Sequence, residues 1–189
     1  MVRRGDRSGT DPVTRAIDLT PRADFLPPAV RRYADQDRAL EIGCGSTNSQ
    51  PSTVKAMLDL LAVRAGDRVL DVGSGSGWTT AILARLVGST GSVLGVELEE
   101  PLVRRSAAAL AGMPNARVRV AVPGVLGAPE EGPFDRILVS AGTPNAPEAL
   151  VDQLTPDGAM VVPLAGRLVR VTRTGRKTAP GYYQFVPLR

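Results

Sequence analysis

The sequence contains no histidine and a single cysteine, Cys44, among its 189 residues. Without histidine the chain cannot build a Ser-His-Asp triad, a histidine general base or a histidine-ligated metal site. One cysteine cannot form a disulfide framework or a multi-cysteine zinc site, and it fits a reducing compartment. We therefore expect a cytoplasmic protein that holds no metal.

Aromatic residues and long hydrophobic runs are also scarce. No apolar stretch reaches the roughly 20 residues that cross a bilayer, and no apolar segment follows the basic N-terminus as in a signal peptide. Aromatics make up 4% of the chain, so little can stack on bases, and nucleic-acid binding is a minor alternative. The arginines that would bind a nucleic acid are Arg3, Arg4, Arg7, Arg31 and Arg32. We expect a monomer with neither a membrane nor a nucleic-acid partner.

The residues that are present suit one globular domain. Of the 189 residues, 43% are hydrophobic and 22% are charged, with a mild net charge of +4, which leaves enough apolar side chains for a core. Residues 1–12 are polar and basic, and we expect them to be disordered. We expect a single domain over 13–189, in which 13–50, interrupted by prolines, forms an N-terminal cap on the substrate side.

From residue 52 onward, helical periodicity alternates with short apolar strands. Val54, Met57, Leu58 and Leu61 fall on one face of a helix over 52–63. The pattern predicts further helices at 78–87, 100–111 and 147–154, and strands at 68–72, 92–97, 118–122, 134–139, 159–163, 168–172 and 182–186. Strands joined by helices indicate a doubly wound, mostly parallel α/β sheet. The last two strands are too close for a crossover helix and predict a C-terminal antiparallel hairpin.

The strongest local signal is the glycine loop, residues 73–77, which reads Gly-Ser-Gly-Ser-Gly and follows the strand that contains Asp71. The third glycine of a dinucleotide fingerprint would fall at Trp78, and no lysine lies nearby for a Walker loop. The remaining pattern, D-x-G-x-G-x-G, is the spacing of S-adenosylmethionine-dependent methyltransferases. Glu97 ends the next strand, where doubly wound folds place a carboxylate against ribose hydroxyls. The alternative is a tight turn beside an exposed strand end.

Ser49 precedes the first predicted helix of the α/β region. That helix of about 12 residues is ~18 Å long, and the following strand of about 5 residues is ~17 Å long. The chain therefore returns Ser49 to the edge of the sheet, beside the glycine loop. Ser49 can face a methyl donor there, or it can cap the helix before Pro51. The spacing leaves both roles open.

Several short motifs, in order from about residue 16 to residue 189, resemble those of the protein-L-isoaspartate O-methyltransferases, which have a Rossmann-like class I methyltransferase fold. The glycine loop alone would indicate only a methyltransferase. The segment Thr-Asn-Ser-Gln-Pro at 47–51, similar to the family's Thr-Ile-Ser-Gln-Pro, is more specific. Further matching segments are Pro-Arg-Ala-Asp-Phe-Leu-Pro at 21–27, Gly-Asp-Arg-Val-Leu at 66–70, Pro-Phe-Asp-Arg-Ile at 133–137, Leu-Thr-Pro-Asp-Gly at 154–158, Val-Val-Pro at 161–163 and Phe-Val-Pro-Leu at 185–188.

The resemblance implies that Ser49 is the active-site serine, whose hydroxyl hydrogen-bonds the substrate carboxylate. It implies methyl transfer from S-adenosylmethionine to an isoaspartyl or aspartyl carboxylate of a peptide or protein. The products would be S-adenosylhomocysteine and a methyl ester that closes to a succinimide. The resemblance assigns donor binding to Gly73, Ser74, Gly75, Ser76, Gly77 and Glu97. We expect the donor site to include also Thr47, Gln50, Asp71, Trp78, Leu98, Gly124 and Val125.

The available residue types suit this reaction. A carboxylate, with an ordinary pKa of about 4, is already ionised at neutral pH and needs no general base. Methylation of a hydroxyl usually requires a base or a metal. Methylation of an amino group on a base usually goes with an Asn/Asp-Pro-Pro-Tyr type of motif, whereas the strand at 134–139 is followed by Ser-Ala-Gly-Thr-Pro. Methylation of a carboxylate therefore fits best.

Two of the chain's departures from the family pattern concern the adenine and the substrate edge. After the strand at 118–122 it lacks the family's Gly-Asp-Gly, whose acid contacts adenine, so either the donor binds more weakly or backbone groups around Pro123 to Val125 substitute. Asn48 replaces an apolar residue, and together with Cys44 it indicates either an altered, more polar substrate edge or simple loop tolerance. Repair of isoaspartyl proteins is the first hypothesis. The alternatives are modification of one dedicated peptide and a catalytically weak, methyltransferase-like binding module.

Overall fold

The computed structural model describes residues 11–188. Most of the basic tail expected to be disordered, residues 1–10, lies outside the described residues. Asp11 and Pro12, the last two residues of the predicted tail, are ordered. Asp11 accepts hydrogen bonds from the amides of Val13 and Thr14 at 3.3 and 3.1 Å and caps a helix that begins at Pro12. Positions 11 and 12 therefore belong to a capped helix, although their composition predicts disorder.

The described chain alternates helices with strands, as the periodicity predicts. The helices are α1 (Pro12–Asp18), α2 (Pro28–Arg31), α3 (Pro51–Leu61), α4 (Trp78–Val87), α5 (Glu100–Ala109) and α6 (Glu148–Val151), with 3-10 turns at Arg22–Phe25 and Pro129–Glu131. The strands are β1 (Leu40–Gly43), β2 (Ser46–Asn48), β3 (Arg68–Val72), β4 (Ser92–Glu97), β5 (Ala116–Val120), β6 (Phe134–Val139), β7 (Leu154–Leu164), β8 (Arg167–Thr172) and β9 (Gly175–Thr178). None of the helices within 11–188 is long and apolar enough to span a membrane.

The main sheet has seven strands in the order β5-β4-β3-β6-β7-β8-β9. The five strands from β5 to β7 are parallel, and β7, β8 and β9 are antiparallel to one another. The chain runs outward from β3 through β4 to β5 and then returns to the other side of β3 at β6. This reversal is a topological switch point, where doubly wound sheets bind ligands at the carboxyl ends of their strands. The predicted fold class is confirmed.

Apolar side chains cover both faces of this sheet, because alternate residues of each central strand point to opposite sides. Val69 of β3 packs with α1, α3 and α4 on one face. Leu70 and Val72 pack with α6 and the outer strands on the other face. Burial on both faces explains why the central parallel strands read as nearly continuous apolar runs.

Residues 13–50 form short helices and turns, as expected, and a two-stranded hairpin of β1 and β2 that the sequence pattern did not predict. Leu26, Leu40 and Ile42 of this segment pack against Leu102 of α5. The segment therefore rests on the same side of the glycine loop as α5. Its boundaries as a separate cap remain a prediction.

The predicted strand at 182–186 is wrong. The edge hairpin is completed instead by β9, which pairs with β8 through residues 175–178. Pro180 has no amide hydrogen, and Gly181 turns the chain with a φ of +97°. Beyond that turn, residues 182–188 cross the carboxyl edge of the sheet with few backbone bonds, such as Tyr183 N to Gly166 O at 2.8 Å.

Candidate active site

A cavity of about 1010 Å³ opens at the carboxyl edge of the parallel strands. This volume lies at the upper end of the range for small-molecule sites, so it suits a ligand together with part of a second molecule. Its walls come from the ends of β3 and β4, the glycine loop, and the chain that follows β2, β5 and β6. The C-terminal segment 182–188 closes the remaining side.

The glycine loop is fastened to β4 by its own backbone. The amides of Gly73 and Ser74 donate to the carbonyl of Val96 at 2.9 and 3.2 Å. Gly75 has a φ of +54°, a conformation that favours glycine, and with Gly73 it presents bare backbone to the cavity. A ligand can therefore approach the main chain of this loop closely.

Glu97, the last residue of β4, is 7% exposed and lines the cavity. One carboxylate oxygen accepts the amide hydrogen of Gly75 at 2.9 Å, and the other accepts that of Glu99 at 3.1 Å. A carboxylate offers about four acceptor positions. The two amide bonds fix the orientation of Glu97 and leave acceptor positions for a pair of ligand hydroxyls.

Asp71, at the start of the glycine motif, is completely buried in β3 and does not line the cavity. One of its carboxylate oxygens accepts the Thr80 hydroxyl at 2.7 Å, and the other has no partner within residues 11–188. Burial, reinforced by the nearby charge of Glu97, raises the pKa of Asp71 to about 7. The role of Asp71 in this structure is therefore to join β3 to α4.

Ser49 lies between β2 and α3 and lines the same cavity as the glycine loop. It does not cap α3, because a remote carboxylate does so: Asp37 accepts the Ser52 amide at 2.9 Å and the Gln50 side-chain amide at 3.0 Å. The hydroxyl of Ser49 makes no hydrogen bond within 11–188. It is available to a ligand.

Arg22 holds the chain around Ser49 in place through hydrogen bonds. Its guanidinium is in a side chain only 6% exposed, and it donates to the carbonyl of Ser49 at 2.9 Å and to the side-chain oxygen of Asn48 at 2.6 Å. Burial lowers the pKa of Arg22 to about 10, so it stays charged at neutral pH. The other acceptors are the carbonyls of Ala34, Gln36, Arg38 and Asn48.

Asn48 continues this network into the glycine loop. Its side-chain amide donates to the Ser76 hydroxyl at 2.9 Å, and Asn48 is only 4% exposed. The prediction that Asn48 makes the substrate edge more polar is therefore wrong, because its polar atoms are consumed inside the protein. Cys44 is exposed and lines the cavity, so of the two residues only Cys44 contributes to that edge.

The cavity contains very little charge. Among its lining residues, all of which lie within 11–188, Glu97 is the only acidic side chain, and none is arginine or lysine. A search of the described residues finds no group of three or more Cys, Asp or Glu side chains placed to hold a metal. The site therefore offers one fixed anion, several hydroxyl and amide groups, and apolar walls.

The structure brings most of the predicted site residues together in this cavity. Those that line it are Thr47, Ser49, Gln50, Gly73, Gly75, Glu97, Leu98, Gly124 and Val125.

Five predicted residues do not line the cavity and instead support the loop. Trp78 is 2% exposed and donates its indole N–H to the carbonyl of Thr20 at 2.9 Å. Gly77 packs so tightly on α5 that an added Cβ would lie 2.8 Å from that of Ser106. The complete set is Asp71, Ser74, Ser76, Gly77 and Trp78.

Two groups of functional residues were not predicted as site residues. In the sequence, Arg22 stands out only as part of the motif at 21–27, and no neighbouring residue in the sequence indicates that it is buried. The C-terminal segment 182–188 contributes Tyr183, Phe185 and Leu188 to the cavity wall, although its alternation of residue types is typical of a strand. The Pro180-Gly181 pair was the available signal that β9 ends before this segment.

The sequence profile of the family described as protein-L-isoaspartate(D-aspartate) O-methyltransferase matches residues 2–185. A protein-L-isoaspartate O-methyltransferase of Xanthobacter autotrophicus is 42% identical over 186 residues, which cover 93% of this chain and 83% of that protein. Protein-L-isoaspartate O-methyltransferase 1 of an Anaeromyxobacter species is 47% identical over 155 residues, or 80% of this chain and 71% of the relative.

A similar fold is found among solved structures. A Plasmodium falciparum protein described as a beta-aspartate methyltransferase, crystallised with S-adenosyl-L-homocysteine, superposes with a TM-score of 0.83. The alignment covers 95% of this chain and 91% of that one at 24% sequence identity. At that identity the likeness establishes the fold.

Proposed function

The chain belongs to the protein-L-isoaspartate(D-aspartate) O-methyltransferase family, and we propose that it transfers a methyl group from S-adenosylmethionine to the carboxylate of an isoaspartyl residue in a peptide or protein. The observation that carries the proposal is the single cavity at the switch point. It joins the free hydroxyl of Ser49 with the glycine loop and the carboxylate of Glu97.

The residues present fit a sulfonium donor. Glu97 has acceptor positions left for both ribose hydroxyls, and the loop at Gly73 and Gly75 lets a ligand approach the backbone. Within residues 11–188, no arginine or lysine lines the cavity to repel a positively charged sulfur. When bound, S-adenosylmethionine supplies a methyl carbon on that sulfur and leaves as a neutral thioether.

Ser49 orients the acceptor. Its hydroxyl, with no partner inside the described chain, donates to one oxygen of the substrate carboxylate and leaves the other oxygen free to attack. A carbon–oxygen bond forms, the carbon–sulfur bond breaks, and its electron pair stays on sulfur. No proton moves, so the protein has only to hold the two groups in line.

The composition of the cavity suits an anionic nucleophile. A carboxylate is ionised at neutral pH and needs no base, and the only acid in the cavity already accepts two amide hydrogens. No arginine or lysine of the described chain lines the cavity, and this also favours the reaction. A charged hydrogen bond would hold the attacking electron pair more tightly than a hydroxyl does.

The apolar part of the C-terminal segment completes the site. Phe185, Val186 and Leu188 line the same cavity as Ser49. Their apolar surface removes water from the carboxylate oxygen, which strengthens its reaction with the positive donor. The resulting methyl ester closes to a succinimide, which is the chemistry of isoaspartyl repair.

Methylation of an isoaspartyl peptide with a labelled donor tests the proposal. Substitution Ser49→Ala is expected to lower kcat/KM about 100-fold, because the acceptor is no longer oriented. The matched control is Ser52→Ala, which removes an exposed hydroxyl that accepts from Gln50, interacts with Asp37 and does not line the cavity, and which should leave the rate within about twofold. Equal rates in Ser49→Ala and the unaltered chain would remove Ser49 from the mechanism.

The same assay separates the alternative functions. Turnover of generic isoaspartyl peptides supports repair of many proteins. Binding of S-adenosylhomocysteine without such turnover indicates one dedicated peptide. If neither the donor nor its product binds, the chain is a methyltransferase-like binding module.

We propose further that one copy of the chain is sufficient and that it acts in the cytoplasm. Every group named above belongs to a single copy, and the exposed thiol of Cys44 beside the site is suited to a reducing compartment. Activity proportional to enzyme concentration, together with a monomer mass by light scattering, checks the first part.

A further inference from the structure

Beyond Glu97 the cavity continues into a part that we call the apolar lobe, formed by Leu98 and by the loop that follows β5. The lobe residues are Leu98, Ala121, Val122, Gly124, Val125 and Leu126. None of these side chains can donate or accept a hydrogen bond. Three of the larger ones remain exposed in the protein alone, with Leu98 at 42%, Val122 at 46% and Val125 at 38%.

The sheet order determines which end of the donor reaches this lobe, and this step rests on the proposed function. The residue that ends β4 is Glu97, and β5 is its outer neighbour. Ser49 precedes α3, which packs on β6 and β7 at the opposite side of β3. If Glu97 holds the ribose between them, the reacting methyl points toward Ser49 and the purine lies in the apolar lobe.

The lobe suits the faces of a purine but not its amine. Apolar side chains pack well against an aromatic ring. The exocyclic amine carries two N–H groups, and no acidic or other acceptor side chain of the described chain lines this part of the cavity. Two of the loop's carbonyls are already occupied, since Val122 O accepts from Val125 N at 3.0 Å and Leu126 O accepts from Gln153 at 2.8 Å.

The lobe is also open. Gly124, with a φ of +77°, has no atom within 4 Å of the place that a Cβ would occupy. An amine that is not held by the protein can remain in contact with water there, which costs little. It also leaves room for a substituent on the nitrogen.

We propose that the apolar lobe binds the donor's purine by its faces and does not recognise the exocyclic amine. The chain therefore accepts donors and product analogues whose amine carries alkyl groups. In a site where an acidic side chain accepts from that amine, replacing both N–H hydrogens would cost a charge-assisted hydrogen bond.

Calorimetric titration of the unaltered protein with S-adenosylhomocysteine and with its N6,N6-dimethyl analogue tests this proposal without turnover. We expect dissociation constants within about threefold of each other, because no hydrogen bond is lost. An analogue that binds more than about tenfold more weakly would mean that the amine is recognised, by a backbone carbonyl or otherwise, and would overturn the proposal.

A substitution in the lobe supplies the converse test. Val122→Asp places an acceptor beside the amine and is expected to make the protein prefer S-adenosylhomocysteine over the dimethyl analogue by about tenfold. Val122→Ala is the matched control, which shortens the side chain without adding an acceptor and should keep the preference within about threefold. If Val122→Asp still binds both compounds equally, the purine does not lie in this lobe and the proposal fails.

The outcomes are separable from those of the proposed function. Rejection of the dimethyl analogue by a protein that binds S-adenosylhomocysteine and methylates isoaspartyl peptide would overturn this inference alone. Failure of the protein to bind S-adenosylhomocysteine would overturn both.

Discussion

Replacing Arg22 is expected to affect both the stability of the fold and the position of Ser49. Within residues 11–188, no carboxylate contacts the buried guanidinium directly, and neutral oxygens hold it, two of them from Asn48 and one from Ser49. It also lies over the ring of Trp78, with 5.5 Å between the guanidinium carbon and the ring centroid. The side chain of Arg22 thus joins the N-terminal segment, the chain at Asn48 and Ser49, and α4.

The size of the effect follows from the number of acceptors that lose their donor. Arg22→Met keeps much of the apolar stem and removes every donor, which leaves buried acceptors at Asn48 unsatisfied and is expected to cost about 3–5 kcal/mol. Arg22→Lys keeps the charge but offers at most three donors from one point, so it cannot span the same acceptors. We expect it to cost about 2–3 kcal/mol.

Urea unfolding measures the stability, and methylation kinetics measure the position of Ser49. Because Arg22 donates to the carbonyl of Ser49, Arg22→Lys should raise KM for the peptide or lower kcat about tenfold, while affinity for S-adenosylhomocysteine changes less. The control is Arg15→Lys, at an exposed arginine of α1. If Arg22→Lys unfolds at the same urea concentration as the control, the buried network contributes no stability and the reasoning is refuted.

Three further predictions concern residues linked to the site. The pKa of Asp71 is about 7 in the folded chain and about 4 in the unfolded chain. Between pH 5 and 7 the unfolded chain has lost the proton that the folded chain still holds, so the free energy of unfolding should fall by about 2 kcal/mol over this range. Asp71→Asn should remove this dependence in urea unfolding at each pH. Asn48→Ile removes the side-chain acceptor of the Arg22 Nε hydrogen and the amide that donates to the Ser76 hydroxyl, and it should lower the unfolding free energy by about 2–4 kcal/mol; an unchanged value would contradict the network. Alkylation of Cys44 with N-ethylmaleimide should lower peptide turnover at least about fivefold while calorimetry shows S-adenosylhomocysteine binding within about twofold.

The central part of the fold and of the site could be predicted from sequence because its signals are local. Strands β3, β4 and β6 are apolar runs buried on both faces, and their predicted bounds match the structure. Three glycines in alternate positions mark the loop after β3, and Glu97 follows as the last residue of the next strand. A parallel sheet then brings these carboxyl ends together without further information.

The remaining parts depend on contacts that no local pattern contains. Arg22 and Asn48 are 26 positions apart in sequence, yet their side chains form a buried hydrogen bond. Residues 182–188 have the composition of a strand, but β9 already occupies the edge of the sheet. The apolar residues of this segment therefore line the cavity instead. In both cases tertiary packing overrides local propensity.

The buried arginine gives a physical reason for the unusual residue at position 48. A guanidinium has no way to lose its charge at neutral pH, so burial is tolerable only if its donors are satisfied. Asn48 provides an acceptor for Arg22 with one end of its amide and a donor for Ser76 with the other. An apolar residue at 48 would remove both at once, so a chain that carries one must supply another acceptor or place the arginine differently. Asn48 therefore supports the glycine loop from inside the protein and does not line the cavity.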